Sequence, residues 1–204
     1  MKCRFLLTLL VAATLPFSGV QAFNWTEGVD GDLSNDGDFP TFVLLTEGSN
    51  LFEGTMGSLD NGVTIDADVW SFTIAAGYYL TGISLVAYSA PAPDIQSFMA
   101  MDDVGSINMT DPSQHLSNGL WTEEFDGFGN TYTDLLAILD AGPQFGGDGF
   151  NGPLGPGTYT FWIQEGSDQI NYTINMTVTA VPEPGSVVLI GAAGLCLLRR
   201  RRRR

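Results

Sequence analysis

The stretch Tyr172-Thr173-Ile174-Asn175-Met176-Thr177-Val178-Thr179 alternates apolar and polar side chains without a break. Successive side chains of a β-strand point to opposite faces, so one face of this stretch is apolar and the other carries only threonine and asparagine. The pattern predicts an antiparallel strand with one buried face and one face in water. The stretch Trp70-Ser71-Phe72-Thr73-Ile74 alternates in the same way, which assigns Trp70 to the core.

Other parts of the body have the same character. Tyr159-Thr160-Phe161-Trp162-Ile163 follows the turn-forming Gly155-Pro156-Gly157, and Asp60-Asn61-Gly62 is a further turn signal. We find no run with a helical period. Short strands separated by turns predict an all-β fold, a single antiparallel β-sandwich of the jelly-roll type over residues 23–180.

Residues 1–22 have the pattern of a secretory signal peptide. Two basic residues precede an apolar run from Phe5 to Leu15, and Val20-Gln21-Ala22 has the small residues that signal peptidase accepts. We expect cleavage before Phe23. The alternative is an uncleaved anchor, which the short apolar run disfavours because a spanning helix needs about 20 apolar residues.

The C-terminal end has three parts. Val181-Pro182-Glu183-Pro184 interrupts any strand, because each proline removes a backbone donor and restricts its neighbour. Residues 185–198 are almost entirely apolar and predict a short helix, and residues 199–204 are all arginine. Arginines stay on the cytoplasmic side of a membrane, so the body is expected outside. A nucleic-acid-binding tail or a localisation signal is the alternative for the arginines.

These parts, in this order over residues 180–204, resemble the PEP-CTERM sorting signal of Gram-negative bacteria. In that family a membrane-embedded exosortase recognises the tail. The resemblance implies signal peptidase and exosortase as partners and an inner-membrane-tethered precursor that contacts the membrane only through its C-terminal helix. It also implies that the processed protein is located at the cell surface or in the extracellular matrix, where it is associated with exopolysaccharide.

The body is acidic and has no lysine or arginine. The chain has a formal net charge of −15, and its eight basic residues all lie outside residues 23–198. His115 is the one side chain of the body that is able to become a cation. Nucleic acid and anionic membrane surfaces are therefore excluded as partners by repulsion. Dissolved salt, bound Ca²⁺ or wide spacing of exposed charges would each relieve the repulsion between carboxylates.

The densest group of carboxylates lies in Asp30-Gly31-Asp32-Leu33-Ser34-Asn35-Asp36-Gly37-Asp38. From Asp32 onward the spacing imitates the start of an EF-hand loop, but Val43 stands where the bidentate glutamate would be. An EF-hand is therefore excluded. A different calcium loop and a solvated turn both remain open.

Asp66 and Asp68 are one residue apart, so both side chains point to the same side just before a strand. They either bind an ion together or cap the start of the strand. Ca²⁺ is the one cofactor that the sequence suggests, because hard cations prefer clustered oxygen ligands. The candidate ligands are Asp30, Asp32, Asp36, Asp38, Asp66 and Asp68.

Part of the body resembles bacterial pre-peptidase C-terminal domains. The segment from Asp66 to Gly77 is similar to their "D-x-D-x-(aromatic)-x-F" stretch, and residues 154–161 are similar to their "L-x-x-G-T-Y" stretch. Residues 90–150 depart from the family as a long insertion. The resemblance implies a jelly-roll-like sandwich that serves as a binding module or as a spacer. Some members of that family bind Ca²⁺ and polymers.

Trp162 is the candidate for a ligand surface. It lies opposite Phe161 and Ile163 on its strand, so it is either an outward side chain that forms a binding surface or part of a second buried face. We favour the second interpretation, in which the 90–150 insertion buries it. We expect no enzyme, since Asp111, Ser113 and His115 are spaced by two in a loop and cannot themselves form a catalytic triad.

Three functions follow, in order of preference. The first is a structural or adhesive surface protein, associated with exopolysaccharide. The second is a carbohydrate-binding module that uses exposed aromatic residues. The third is a hydrolase, which a buried pair of carboxylates with raised pKa values in a cleft would favour.

Overall fold

A computed structural model describes residues 23–58, 60, 62–91, 95–122, 133–166 and 168–181. Strands dominate this part of the chain. The strands are β1 (Phe23–Thr26), β2 (Thr41–Val43), β3 (Gly48–Met56), β4 (Ala67–Ile74), β5 (Tyr78–Ser89), β6 (Ser97–Asp102), β7 (Ser117–Trp121), β8 (Gly157–Gln164) and β9 (Ile170–Ala180). Two short helices, α1 (Glu27–Asp30) and α2 (Leu135–Asp140), and a 3-10 turn at Pro112–Gln114 complete the elements.

The strands form two sheets, with the orders β1-β3-β9-β5 and β2-β4-β8-β6-β7. This confirms the all-β prediction. The prediction of purely antiparallel pairing is wrong at two edges, because β1 runs parallel to β3 and β2 runs parallel to β4. Neither edge strand is joined to its neighbour by a hairpin, which would have imposed the antiparallel direction. The jelly-roll detail stays a prediction.

The apolar faces of both sheets contribute to one core. The alternating face of β9, from Tyr172 to Val178, is buried as its sequence pattern predicts. The ring of Phe52 in the first sheet stacks on Trp70 in the second, with centroids 4.9 Å apart. Trp70 is thus in the core as predicted, and removing these side chains from water supplies the main stabilisation of the fold.

The opposite face of the second sheet is also covered, and this decides between the two interpretations of Trp162. Trp162 is only 4% exposed. Its ring packs edge-on against Phe98, with centroids 4.7 Å apart, and against His115, 5.9 Å away. Both residues lie in the 90–150 insertion, so it is this insertion that buries Trp162. Trp162 does not offer a ligand surface.

The insertion also contains the helix α2, which sequence periodicity missed. Six residues are too few to show a period, but Asp134 gives a local signal. Its carboxylate accepts a hydrogen bond from the backbone N–H of Ala137 at 3.0 Å, which is a helix N-cap. Leu135 and Leu139 face the core from this helix.

The predicted signal peptide and the predicted C-terminal helix lie outside the described residues. Within the described part, we find no helix with the length and apolar character needed to cross a membrane.

Candidate metal centre

Three carboxylates from distant parts of the sequence converge at one end of the two sheets. Glu27, Asp32 and Asp68 each present an oxygen atom, and these oxygens all lie within 4.8 Å of one another. Glu27 belongs to α1, Asp32 follows it in a loop, and Asp68 lies in β4 of the second sheet. The cluster therefore connects the N-terminal segment to both sheets.

A tight turn after β1 brings Glu27 and Asp32 together. β1 runs along β3 with Thr26 opposite Glu53, and the chain then makes a single helical turn. The backbone N–H of Gly31 donates to the carbonyl of Glu27 at 3.1 Å and closes that turn. Gly31 has φ +96°, a left-handed conformation that glycine adopts without steric cost. The next residue is Asp32.

Gly54 provides the space for the Glu27 carboxylate. Gly54 lies in β3 directly opposite Tyr172 of β9. A side chain at Gly54 would collide with the carboxylate group of Glu27. The backbone N–H of the next residue, Thr55, donates to Glu27 Oε2 at 2.8 Å. Glu27 is thus held in a defined position, and its other oxygen, Oε1, is buried without a hydrogen-bond partner in the described part of the chain.

Asp68 is the unusual member of the cluster. Its side chain is 0% exposed, and neither carboxylate oxygen makes a hydrogen bond of normal geometry among the described residues, although the Tyr172 hydroxyl and the Glu27 carboxyl are close enough to affect its pKa. Burial, followed by the negative charge of Glu27, raises the pKa of Asp68 to about 9. Burial and the nearby Asp68 charge also raise the pKa of Tyr172 well above its ordinary value. An ionised carboxylate is costly at such a buried position, so Asp68 holds a proton at neutral pH unless a cation takes its place.

The cluster has the dimensions of a calcium site. A point exists within about 2.8 Å of three oxygens that are no more than 4.8 Å apart, which is close to the ~2.3–2.6 Å of Ca²⁺–O bonds. Carboxylate oxygens are the ligands that Ca²⁺ prefers, and Mg²⁺ requires shorter bonds and retains more of its water. Glu27, Asp32 and Asp68 are the residues that could hold the ion, and an ion there would satisfy the free oxygens of Glu27 and Asp68.

The structure separates the six aspartates proposed from the sequence into two groups. Asp32 and Asp68 lie in the cluster, and Asp66 lies beside it, near enough for its charge to contribute to the raised pKa of Asp68. Burial raises the pKa of Asp66 itself. The start of β4 is capped by another residue, since Asn35 Oδ1 accepts a hydrogen bond from the Ala67 N–H.

The other three aspartates lie in exposed turns. Asp30 Oδ2 accepts a hydrogen bond from the Thr26 N–H at 2.8 Å, and Asp36 Oδ1 accepts one from the Asp38 N–H at 2.9 Å. The bond of Asp36 is that of an ordinary Asp turn, whereas the bond of Asp30 closes the start of α1. The solvated-turn interpretation thus describes Asp30, Asp36 and Asp38, and the structure does not bring them to the cluster.

Sequence reasoning missed Glu27. It has no acidic neighbour at a spacing typical of a metal loop, and it reaches the site only because β1 pairs with β3. The one local signal is Gly54, a glycine within a strand, which marks a close approach of other atoms.

The residues that suggested a hydrolase are arranged differently. His115 is buried, and its Nε2 lies 2.7 Å from the carbonyl oxygen of Asn108, to which it donates. The Ser113 hydroxyl donates to Asp111 Oδ1 at 2.6 Å. Ser113 therefore bonds to a carboxylate in an exposed turn, not to the imidazole that would activate it.

Comparison with known proteins bears on the tail. Residues 180–203 match the PEP-CTERM protein-sorting motif. This is an exported, exosortase-sorted protein. The motif implies that the chain is anchored in the membrane before sorting. A search of curated proteins found no match. The resemblance of the body to pre-peptidase C-terminal domains is not confirmed by these comparisons and stays a prediction.

Proposed function

We propose that the body of this exosortase-sorted protein is a structural or adhesive domain without catalytic activity, and that it binds a calcium ion in the Glu27–Asp32–Asp68 cluster. We place it at the surface or in the extracellular matrix of a Gram-negative bacterium, in association with exopolysaccharide. The observation that carries the calcium proposal is the Asp68 carboxylate, buried and without a partner beside two further carboxylates.

The charge of the body supports this proposal. Residues 23–198 contain no lysine or arginine, so no ordinary ion pair is available to neutralise Asp68. A divalent cation would do so from solution. An ion that binds only the folded state, present at 100 times its dissociation constant, adds about 2.7 kcal/mol to the free energy of unfolding.

A hydrolase is the alternative that Glu27 and Asp68 themselves raise. Both are at least partly buried, both have raised pKa values, and a groove lies next to Glu27. However, Asp68 is 0% exposed, and a catalytic carboxylate has to touch the sugar or its attacking water. The arrangement therefore fits an enclosed ion better than a glycosidic bond. Hydrolysis of a polysaccharide that Asp68→Asn abolishes would reverse this preference.

A carbohydrate-binding module that relies on exposed aromatic residues is less well supported. Trp70, Trp121 and Trp162 are each no more than 4% exposed. Trp25 is only partly buried, and its indole N–H donates to the Gly31 carbonyl at 3.1 Å, which places it in the turn that carries the metal cluster. The three buried tryptophans therefore offer no free ring face for stacking on sugars.

Thermal unfolding of the purified protein tests the calcium proposal. We expect the melting temperature to be higher in millimolar Ca²⁺ than in chelator, by about 5–10 °C for a domain of this size. Mg²⁺ should produce a smaller shift. Equal melting temperatures in Ca²⁺ and in chelator would contradict the proposal.

Two matched substitutions identify the site. Asp68→Asn should remove the calcium response and leave the chelated protein at least as stable as wild type, because folding no longer has to protonate a carboxylate at this buried position. Asp38→Asn is the control, since Asp38 was proposed from the sequence but is exposed and outside the cluster. It should respond to Ca²⁺ like wild type. A calcium response that survives Asp68→Asn would assign the ion to another position.

The surface location needs a separate test. Cells that produce the wild-type protein should release the body to the cell surface or matrix fraction. A variant with Pro182→Ala and Pro184→Ala should stay in the membrane fraction, because the sorting motif is altered. Equal distribution of the two proteins would contradict this part of the proposal.

A further inference from the structure

The sorting tail leaves the body at the end of the first sheet that lies opposite the metal cluster. β9 begins near the cluster, where Tyr172 pairs with Gly54, and it ends at Ala180. The path from Tyr172 to Ala180 covers about 26 Å at the ordinary rise of a strand. The backbone N–H of Val181 donates to the Gly77 carbonyl at 2.7 Å, so the body still holds the chain where the tail begins.

The apolar part of the tail begins a short distance beyond this point. It starts at Gly185, four residues after Val181, and four residues reach about 14 Å at most. Pro182 and Pro184 restrict the chain between them. Since the sorting motif implies a membrane-anchored precursor, this end of the sandwich lies within about 14 Å of the bilayer before sorting.

Three chain connections form this end, which we call the tail end: residues 44–47, 75–77 and 153–156. They lead into β3, β5 and β8, respectively. The first residues of β3 and β5 pair with the last part of β9, and the first residue of β8 pairs with the last residue of β4. Glu47 is the one carboxylate in the three connections, so the tail end has little charge.

The opposite end, which holds the metal cluster, is rich in carboxylates. Its connections are residues 27–32, 57–66 and 165–169, and they contain Glu27, Asp30, Asp32, Asp60, Asp66, Glu165 and Asp168. Anionic lipids repel exposed carboxylates mainly within a Debye length, about 8–10 Å at ordinary ionic strength. The tail end is therefore able to approach a membrane, while the acidic end, about 26 Å away, is beyond the range of strong repulsion.

The tail end also exposes apolar side chains. Leu44 is 63% exposed, Tyr79 is 37% exposed, and the turn at residues 75–77 is exposed along its whole length. Single exposed apolar residues are common on protein surfaces, but these lie at the end that the anchor holds beside the bilayer. Tyrosine is typical of the membrane–water interface, because its ring is apolar and its hydroxyl group is polar.

We propose that the tail end is a membrane-docking surface. In the anchored precursor, Leu44, Tyr79 and residues 75–77 contact the lipid headgroups, and the sandwich stands on the membrane with the metal cluster directed away from it. This inference depends on the sorting motif and not on calcium binding. It differs from the expectation that the precursor contacts the membrane only through its C-terminal helix. The exclusion of anionic membranes rested on the net charge of the body, and that charge is distributed unevenly between the two ends.

Fluorescence quenching of the anchored protein in nanodiscs of phosphatidylethanolamine and phosphatidylglycerol tests this arrangement. The protein is purified with its sorting tail after signal-peptide cleavage, and it carries Cys196→Ser and one new cysteine with a fluorescent label. Part of the lipid carries a quencher at the headgroup. Leu44→Cys reports on the second sheet, and Val63→Cys is the matched control, because Val63 is an 84% exposed aliphatic residue at the acidic end.

We expect quenching at Leu44→Cys to be about threefold or more stronger than at Val63→Cys, since the two ends lie about 26 Å apart. Ala76→Cys, next to the start of the tail, should be quenched strongly and shows that the anchor is inserted. Equal quenching of Leu44→Cys and Val63→Cys would overturn the docking surface, because the body would then be tethered without a fixed orientation. Quenching of Leu44→Cys that appears only after exosortase is added would assign the tail end to that protein instead of to lipid. The calcium-dependent melting shift is measured separately, so neither result bears on the calcium site.

Discussion

Asn50 and Asp68 are both polar, both lie in strands and are both 0% exposed, yet their surroundings are opposite. Asn50 Nδ2 donates to the carbonyls of Thr46, Gly48 and Met176 at 2.9, 3.2 and 3.0 Å, and its Oδ1 accepts from the Thr46 N–H at 2.7 Å. Neither oxygen of Asp68 has a partner in the described chain. Asn50 is part of a closed hydrogen-bond network, whereas Asp68 has only the Tyr172 hydroxyl and neighbouring carboxyl groups beside it.

The chemistry of the neighbours explains the difference. An amide has donors and an acceptor, and Asn50 is surrounded by backbone groups that match both. An ionised carboxylate only accepts, and of the groups nearest to Asp68 the Tyr172 hydroxyl is a donor, whereas the carboxylates of Glu27 and Asp32 also only accept. A proton or a cation is required between such groups. The same degree of burial thus indicates stability at Asn50, whereas at Asp68 it is the basis of the calcium site that we propose.

Replacing the buried amide of Asn50 by a carboxylate should have the largest effect on the free energy of unfolding. Asn50→Asp removes the amide donors, leaves three carbonyls unpaired and buries a charge, so we expect the free energy of unfolding to fall by about 4 kcal/mol. The loss should be the same in Ca²⁺ and in chelator, because Asn50 has no acidic cluster around it. Urea unfolding measures the change, with the exposed Asn24→Asp as control. A loss below about 1 kcal/mol would show that the hydrogen-bond network around Asn50 tolerates the loss of its amide donors.

The pH dependence of the free energy of unfolding should also distinguish Asp68 from Asn50, since only Asp68 titrates. The pKa of Asp68 is higher in the folded protein, about 9, than the ordinary 3.8 of an unfolded chain. Folding therefore favours the protonated form, and the stability that Asp68 contributes is complete below the unfolded value and is lost as pH rises toward the folded value.

In chelator we consequently expect the free energy of unfolding to decrease by about 4 kcal/mol between pH 5 and pH 8, since each pH unit between the two pKa values contributes about 1.4 kcal/mol. Asp68→Asn should flatten this profile, and Ca²⁺ should restore stability at pH 8 by binding the ionised form. Urea midpoints at several pH values give the measurement. A wild-type profile identical to that of Asp68→Asn would assign the pH dependence to other groups.

Gly54→Ala should have the smallest effect of the three. A Cβ atom at this position would fall on the Glu27 carboxylate and displace it from the cluster. We expect the affinity for Ca²⁺, measured by calorimetric titration, to fall about tenfold, equivalent to ~1.4 kcal/mol. Gly28→Ala is the control, because a Cβ there meets no atom within 4 Å. Equal affinity of the two variants would show that Glu27 is not a ligand.

The strand pattern was predictable because it depends on local periodicity. Alternation from Tyr172 to Val178 identified the buried face of β9, and the same rule placed Trp70 in the core. The rule failed for Trp162, since alternation separates two faces of a strand but does not say whether the second face is covered. That decision depended on Phe98 and His115, which lie more than 40 residues earlier in the sequence.

The candidate site was predictable in part. Asp66 and Asp68 were predictable as candidate ligands because two carboxylates lie at the start of a strand that is mostly apolar. Asp32 was predictable because it lies in an acidic loop. The sequence did not separate Asp32 from Asp30, Asp36 and Asp38, because all four have the composition of turns. Only the path of the chain after Gly31 separates them, by directing Asp32 toward Asp68 and leaving the others in water.

The sequence by itself determined three properties: strands with alternating faces, a body without lysine or arginine, and a sorting tail that matches over residues 180–203. Each depends on neighbouring residues or on composition alone. The tertiary structure decided which carboxylates meet. Glu27 and Asp68 are far apart in sequence and converge because β1 pairs with β3 and because Gly54 leaves room for a carboxylate. Contact across two sheets depends on pairing and register, which no local pattern records.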